Sequence, residues 1–474
     1  MRRAVVLCSI ILLVALAVFL PLRYLRGHET SDHAEAQPTA TISEEEPESE
    51  GRGGDPDAEA VRVGEAQLST VVNAPSAGWA GESVVGTGNT WEPTVAADPS
   101  GPYVYVMYND FTATKACNTC PSIPMIVRAS SNGGATFGPE MQVCGIGCPH
   151  VSWQYDPVLA VSSTGVVYAV WMNEYKIVFS KSTNHGATWS APTLVSGKLS
   201  SDKPWLGISK NGTDVYVTFT KGTGGDLYET HSHNSGSTFS TAQLIGTVAG
   251  NHYFYSNGLA VLPSGTAVMS ASQYPNTNRQ ITTSPISIST FRTTNGGTTW
   301  TRVNVDSVFG GPSYVTSSTT TLAADAAGTL VVEYGGSTTA GANGNIWVQR
   351  STDGGLTWTG KTLLTPATGG GDASFPAIAA GAAGDFRLTY MDSRTGVWNV
   401  WYRASTDGGV TWSADVKLSD ASSGAPYKSA NGFTEAYGDY DAIAITNLGK
   451  SVAVMGEGTS FTAGPGNIWF NRQT

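Results

Sequence analysis

Two short stretches put ionisable side chains close together. SDKPW (Ser201–Trp205) sets Asp202 beside Lys203, and YGDYDAIA (Tyr437–Ala444) places Asp439 and Asp441 on either side of Tyr440. Tyr155 and Asp156 precede Pro157, Glu92 precedes Pro93, and YMDSR (Tyr390–Arg394) carries Asp392 and Arg394. Carboxylates give and take protons, and the planar fork of an arginine suits a carboxylate. The set is polar, aromatic and of both signs, as expected of a concave binding site. The plain alternative is that several of these residues cap strand ends in solvent. They run from Glu92 to Asp441, so only a fold that returns again and again to one axis gathers them.

The sequence supplies such a fold. STDGGLTWTG from Ser351 returns as STDGGVTWSA from Ser405, with looser copies from Ser130, Ser182, Ser232 and Thr293. The shared pattern is Ser/Thr-x-Asp/Asn-x-Gly-x-Thr-Trp/Phe, and a spacing of roughly 50 to 60 residues marks a repeat array. The Asp or Asn folds back on backbone N–H groups, glycine supplies positive φ, and the aromatic residue anchors the corner. Each copy lies between two strands, as in IWVQRS before and KTLLT after the copy at Ser351. Upstream of each comes a strand, a turn and a second strand, as in EPTVAADPSGPYVYVMY from Glu92 and DPVLAVSSTGVVYAVWM from Asp156; this element occurs seven times, the last from Tyr440. Four strands per repeat around a ring predict an all-β, seven-bladed β-propeller. Six blades with an irregular cap is the alternative. The chain ends on a good third strand, NIWFNR (Asn467–Arg472), so AQLSTVV (Ala66–Val72) is expected to complete the last blade and remove an exposed edge.

Ahead of the propeller, expected over 61–474, stand two other segments. Residues 1–28 hold four arginines and an apolar run from Ala4 to Leu22, close to the ~20 residues that cross a bilayer. An uncleaved membrane anchor and a cleaved signal peptide both fit, and either exports the remainder. Residues 29–60 hold eleven acidic residues and one basic, a linker too polar to fold. With those two segments set aside, residues 61–474 carry only −5 of the chain's −11. A mildly acidic propeller argues against nucleic-acid binding.

The repeated corner is the Asp-box, and its recurrence resembles the sialidase (neuraminidase) superfamily of propellers over residues 66–474. The resemblance implies boxes on the face away from the active site, so chemistry belongs where first strands begin and second strands end. It implies a tyrosine nucleophile, for which Tyr440 is the candidate, with Asp439, Asp441 or Glu435 as the base that a phenol of pKa ~10 needs. Asp156 is the candidate acid/base. Arg394 would bind a substrate carboxylate, with Asp392, Lys203, Asp202, Glu92 and Tyr155 as further binding residues. The sequence departs from the family at one motif: the family's Arg-Ile-Pro stands here as Trp91-Glu92-Pro93. For the family's three-arginine cluster only Arg279, Arg387 and Arg394 are plausible.

Cys117 and Cys120 form CNTC, and Cys144 and Cys148 form CGIGC. Two disulfides, a structural zinc and free thiols all fit, and export favours disulfides. The acidic rim also suits Ca²⁺, though no spacing is diagnostic, and no cofactor is expected. The sequence therefore reads as an exported, membrane-tethered exo-glycosidase of glycans, with a non-catalytic glycan- or protein-binding propeller as the alternative.

Overall fold

In the computed structural model, the described residues are 75–86, 88, 90–144, 153–222, 225–250, 252–275, 284–310, 319–366, 371–396, 398–419, 440–458 and 466–474. The anchor or signal at 1–28, the linker at 29–60 and the strand at Ala66–Val72 lie outside them. Seven four-stranded antiparallel sheets form, each with its strands in meander order. Their innermost strands are Thr90–Ala97, Gln154–Val161, Ser201–Ile208, His252–Val261, Thr320–Ala324, Ala373–Ala380 and Asp441–Ile445, for blades 1 to 7. Each packs on the next, and blade 7 packs back on blade 1. This is a seven-bladed ring, and the six-bladed alternative is excluded.

Three second strands, Val104–Asp110, Val167–Asn173 and Leu330–Gly336, are buried at every residue. Both of their faces meet a neighbouring blade, so their sequences read as continuous apolar runs rather than alternating ones. Outer strands shrink to two residues in four blades, as at Thr362–Leu363, which leaves little edge for unwanted pairing. The ring closes as expected in kind but through a different segment. Ser83–Gly86, not Ala66–Val72, pairs with Gly466–Arg472 as the outer strand of blade 7. Trp79 seals the join edge-on to Tyr402, with ring centroids 5.0 Å apart.

The six Asp-boxes turn the third strand into the outer one and tie each blade to its predecessor. In the copy at Ser351, Asp353 Oδ1 accepts from the Leu356 and Thr357 N–H groups at 3.0 Å each, and Ser351 Oγ accepts from Gly355 N at 3.0 Å. The glycine at the fifth position of each box has positive φ and faces the blade before: Gly134 meets Phe470, Gly236 meets Phe179 and Gly409 meets Val331. A Cβ there would collide, so glycine is required on two counts.

Candidate functional site

The mouth is shaped by a backbone device that the sequence spells as X-Pro. Four innermost strands carry a β-bulge at Glu92-Pro93, Asp156-Pro157, Lys203-Pro204 and Phe375-Pro376. Proline has no N–H to give a ladder, so it belongs at a bulge. The preceding residue is forced to positive φ: 54° at Glu92, 53° at Asp156, 47° at Lys203 and 54° at Phe375. Such conformations cost about 1–3 kcal/mol each and collect at functional sites. A bulge re-aims its side chain, and here Asp156, Lys203 and Phe375 line an axial cavity of about 360 Å³. Tyr255, Tyr440 and Asp441 line it too, above an apolar throat that includes Leu206, Leu259 and Ile443.

One oxygen gathers the polar groups. Lys203 Nζ donates to Tyr440 Oη at 2.7 Å, and Tyr255 Oη donates to it at 3.0 Å. Tyr440 Oη in turn donates to Asp156 Oδ1 at 2.6 Å. Lys203 and Asp156 form an ion pair at 3.1 Å with side chains 4% exposed each. The Lys203 ammonium also lies 5.3 Å from the Tyr255 ring centre and 5.4 Å from that of Tyr440, within cation–π range. Blades 2, 3, 4 and 7 thus meet at one phenol.

A layer behind holds these groups in place. Glu92 Oε2 accepts from Asp156 N at 2.7 Å and from Asn109 Nδ2 at 3.1 Å. Asp202 Oδ1 accepts from Lys203 N at 2.7 Å, and its Oδ2 accepts from Tyr253 Oη at 2.9 Å. Both carboxylates hold the bulged backbone rather than facing the cavity. Asp441 is buried in the cavity wall, and that burial pushes its carboxyl up to about 7. The Thr389 hydroxyl and the Asp441 N–H hold it from rising further, but neither closes a well-formed hydrogen bond with it. Glu333, fully buried on the second strand of blade 5, is raised well above the ordinary range by burial and then by Asp441.

The structure brings together Tyr440, Asp156, Lys203 and Asp441, with Glu92 and Asp202 one step behind. Asp439 and Glu435 lie outside the described residues. Tyr155 turns away from the cavity into an aromatic stack with Trp153 and Phe111, at 5.0 and 6.0 Å. Asp392 and Arg394 belong to blade 6: Arg394 is bonded to Asp392, reaches Asp415 at 2.6 Å and covers Trp401 at 4.0 Å. A closed network of this kind leaves Arg394 no fork to offer a ligand. Arg387 is tied to Asp385 and Ser451, and among the described residues no arginine lines the cavity. Cys117 and Cys120 form a disulfide, and Cys144 is disulfide-bonded as well. Cys148 lies outside the described residues. Among the described residues no group of three or more His, Cys, Asp or Glu is placed to hold a metal ion. None of their helices is long and apolar enough to cross a membrane.

Tyr253, Asn109 and Glu333 were not singled out by the sequence, and Tyr255 only as one of the residues where first strands begin. Tyr255 occupies the register position of Tyr155, and only ring geometry decides which of the two faces the axis. Glu333 did leave a signal, a single acid inside the apolar strand LVVEYGG.

No family model and no curated protein matches the chain. Solved structures do resemble it. A Hadza microbial sialidase, Hz136, aligns at 15% identity and TM-score 0.45, covering 81% of this chain and 66% of that one. Trypanosoma rangeli sialidase aligns at 12% identity and TM-score 0.41, covering 81% of this chain and 54% of that one. A PL25 ulvan lyase bound to a GlcA–Rha3S saccharide aligns at 12% identity and TM-score 0.48, covering 83% and 95%. The fold is a seven-bladed propeller with Asp-box corners. At these levels the likenesses transfer no residue roles, and the site rests on its own geometry.

Proposed function

We propose that this propeller cleaves glycosidic bonds at its mouth, with Tyr440 as the attacking group. The observation that carries the reading is the pattern around one oxygen: Tyr440 Oη gives its proton toward Asp156 and receives hydrogen bonds from Lys203 and Tyr255. A phenol is a poor nucleophile until it loses its proton. Here the base is in contact, and the phenolate that forms is met by an ammonium and a hydroxyl donor. Attack at the anomeric carbon forms a bond to Tyr440 as the bond to the leaving oxygen breaks. That oxygen needs a proton, and Asp441, raised to about 7 in the same cavity wall, holds one near neutral pH. Water then breaks the tyrosyl–sugar bond, giving its proton to Asp441 while Asp156 returns its own to Tyr440. Two carboxyls in different environments thus take opposite roles. The Asp-box resemblance adds the reason to look for carbohydrate in such a mouth.

The test is turnover of a panel of fluorogenic glycosides by the full chain and by Tyr440→Phe. The expected result is a loss of about 10³-fold or more in kcat/KM, with the unfolding midpoint nearly unchanged. Full activity in Tyr440→Phe would remove the nucleophile; no turnover by the native chain would favour a binding propeller. We also propose export, supported by the Cys117–Cys120 disulfide, which suits an oxidising compartment. Protease accessibility of the propeller on intact cells tests it.

A further inference from the structure

We infer that the mouth takes a neutral or amino-bearing sugar and turns away sugars that carry a carboxylate. The inference rests on the reading above for placing the sugar at Tyr440, and it goes further by naming the chemistry of the substrate.

The first support is the set of acceptors in the cavity wall. Asp156 Oδ2 and both oxygens of Asp441 have no hydrogen-bond partner. Asp156 is 3% exposed and Asp441 8%, so these oxygens are shut off from bulk water. Asp156, ion-paired with Lys203, only accepts hydrogen bonds, and a buried acceptor without a donor is costly; Asp441 with its proton keeps one acceptor oxygen beside its O–H. A sugar hydroxyl or a sugar ammonium brings the missing donor. A second carboxylate brings another acceptor and another negative charge.

The second support is the charge at the mouth. Lys203 is the one cationic residue that lines the cavity among the described residues. It is already paired with Asp156, bonded to Tyr440 and set over the Tyr255 ring. Asp156 and Asp441 share the wall with it, and Glu92 and Asp202 hold the backbone just behind. Among the described residues, three carboxylates, Asp156, Glu92 and Asp202, therefore stand around one ammonium, with Asp441 largely protonated beside them. The Lys203–Asp156 pair cancels within the wall, so Glu92 and Asp202 behind it set the sign of the field that a low-dielectric cleft focuses on whatever enters. A sugar acid enters against that field and, among the described residues of the wall, finds no uncommitted cation. The aromatic faces of Tyr255, Tyr440 and Phe375 suit the apolar side of a sugar ring and are indifferent to its charge.

The experiment uses the full chain and matched glycosides in which one ring carries three substituents: the plain hexoside, its 2-amino analogue and its uronide. Both anomers are included in the gluco and galacto series, with an α-sialoside beside them. The expected result is a kcat/KM for a neutral or amino sugar at least about tenfold above that of the uronide and the sialoside. Raising ionic strength from ~20 to ~300 mM should narrow that gap, because salt screens the repulsion. A preference for the uronide or the sialoside would overturn the inference while leaving the Tyr440 chemistry standing. If no glycoside turns over, the cleavage reading falls and calorimetric binding of the same sugars decides. Tighter binding of neutral or amino sugars, weakened in Asp156→Asn, then supports the inference; preference for the acids, or no binding at all, overturns it. The comparison among substrates needs only the native chain, so a variant that fails to fold leaves the decision intact.

Discussion

Asp441 and Asp353 are the same residue type placed at opposite faces of one ring. Asp441, in the mouth, is buried and without a well-formed hydrogen bond, and its carboxyl is pushed up to about 7. Asp353, in an Asp-box on the floor, is held down to about 2. Its slight burial works against that, but hydrogen bonds from Thr357, Ser351 and Leu356 outweigh it. The floor gives its acid everything an anion wants, and it is scaffold. The mouth withholds those partners, bends four strands through strained bulges and keeps an ion pair out of water. A fold tolerates such costs only where the rest of the structure over-determines them, so the contrast separates where this chain holds its shape from where it does work.

The sharpest break of that contrast is Lys203→Met. It leaves the Asp156 carboxylate buried without its cation, a loss worth about 3–5 kcal/mol, and removes the donor to Tyr440. Chemical denaturation at pH 7 should show the destabilisation, and Asp156→Asn added to Lys203→Met should recover much of it. Full recovery of stability with activity still absent is the expected signature of a strained working site. An unchanged denaturation midpoint in Lys203→Met would show the pair contributes nothing to the fold.

Next in size is the pH dependence set by Asp441. Its folded value lies above the unfolded one, so the protonated form is the one that folding favours. Stability is then fullest below about pH 4 and declines until about pH 7, by on the order of a few kcal/mol. The acid role predicts that kcat/KM also falls as pH rises through about 7. Asp441→Asn should lessen the fall in stability across that window, with buried Glu333 still contributing, and remove the alkaline limb from whatever activity remains. Glu333→Gln leaves Asp441 in place and should keep the limb near 7. A limb that survives in Asp441→Asn would assign the acid to another group.

The floor was legible in the sequence and the mouth only partly, for a physical reason. Asp-boxes are local: Ser351, Asp353, Gly355 and Thr357 bond to one another within seven residues, so a short window contains the whole device. The mouth is assembled from blades far apart in the chain, with Lys203 and Tyr440 separated by 237 positions. The X-Pro spelling of the bulges marked Glu92, Asp156 and Lys203 as mouth residues because proline and positive φ are local properties. It did not show that Glu92 supports backbone while Asp156 lines the cavity. Arg394 looked like a ligand fork because Asp415 and Trp401, which occupy it, come from later strands. Closure by Ser83–Gly86 rather than Ala66–Val72 was hidden because any short strand can cap a blade edge.

The smallest effect belongs to the floor itself. Asp353→Ala removes acceptors for the Leu356 and Thr357 N–H groups, the same loss as that of a helix N-cap, and should cost about 1 kcal/mol. These groups face solvent, so water replaces part of what is lost. The Asp353 value is depressed, so its contribution is present above about pH 4 and fades as pH falls toward 2. The native chain and Asp353→Ala should therefore differ in thermal midpoint at pH 7 and converge near pH 2. Through all of this kcat/KM at neutral pH should stay level, since the box lies at the far end of the ring from Tyr440. A fall in activity that tracks the lost stability would mean the floor sets the geometry of the mouth, and the two faces would then be one device rather than two.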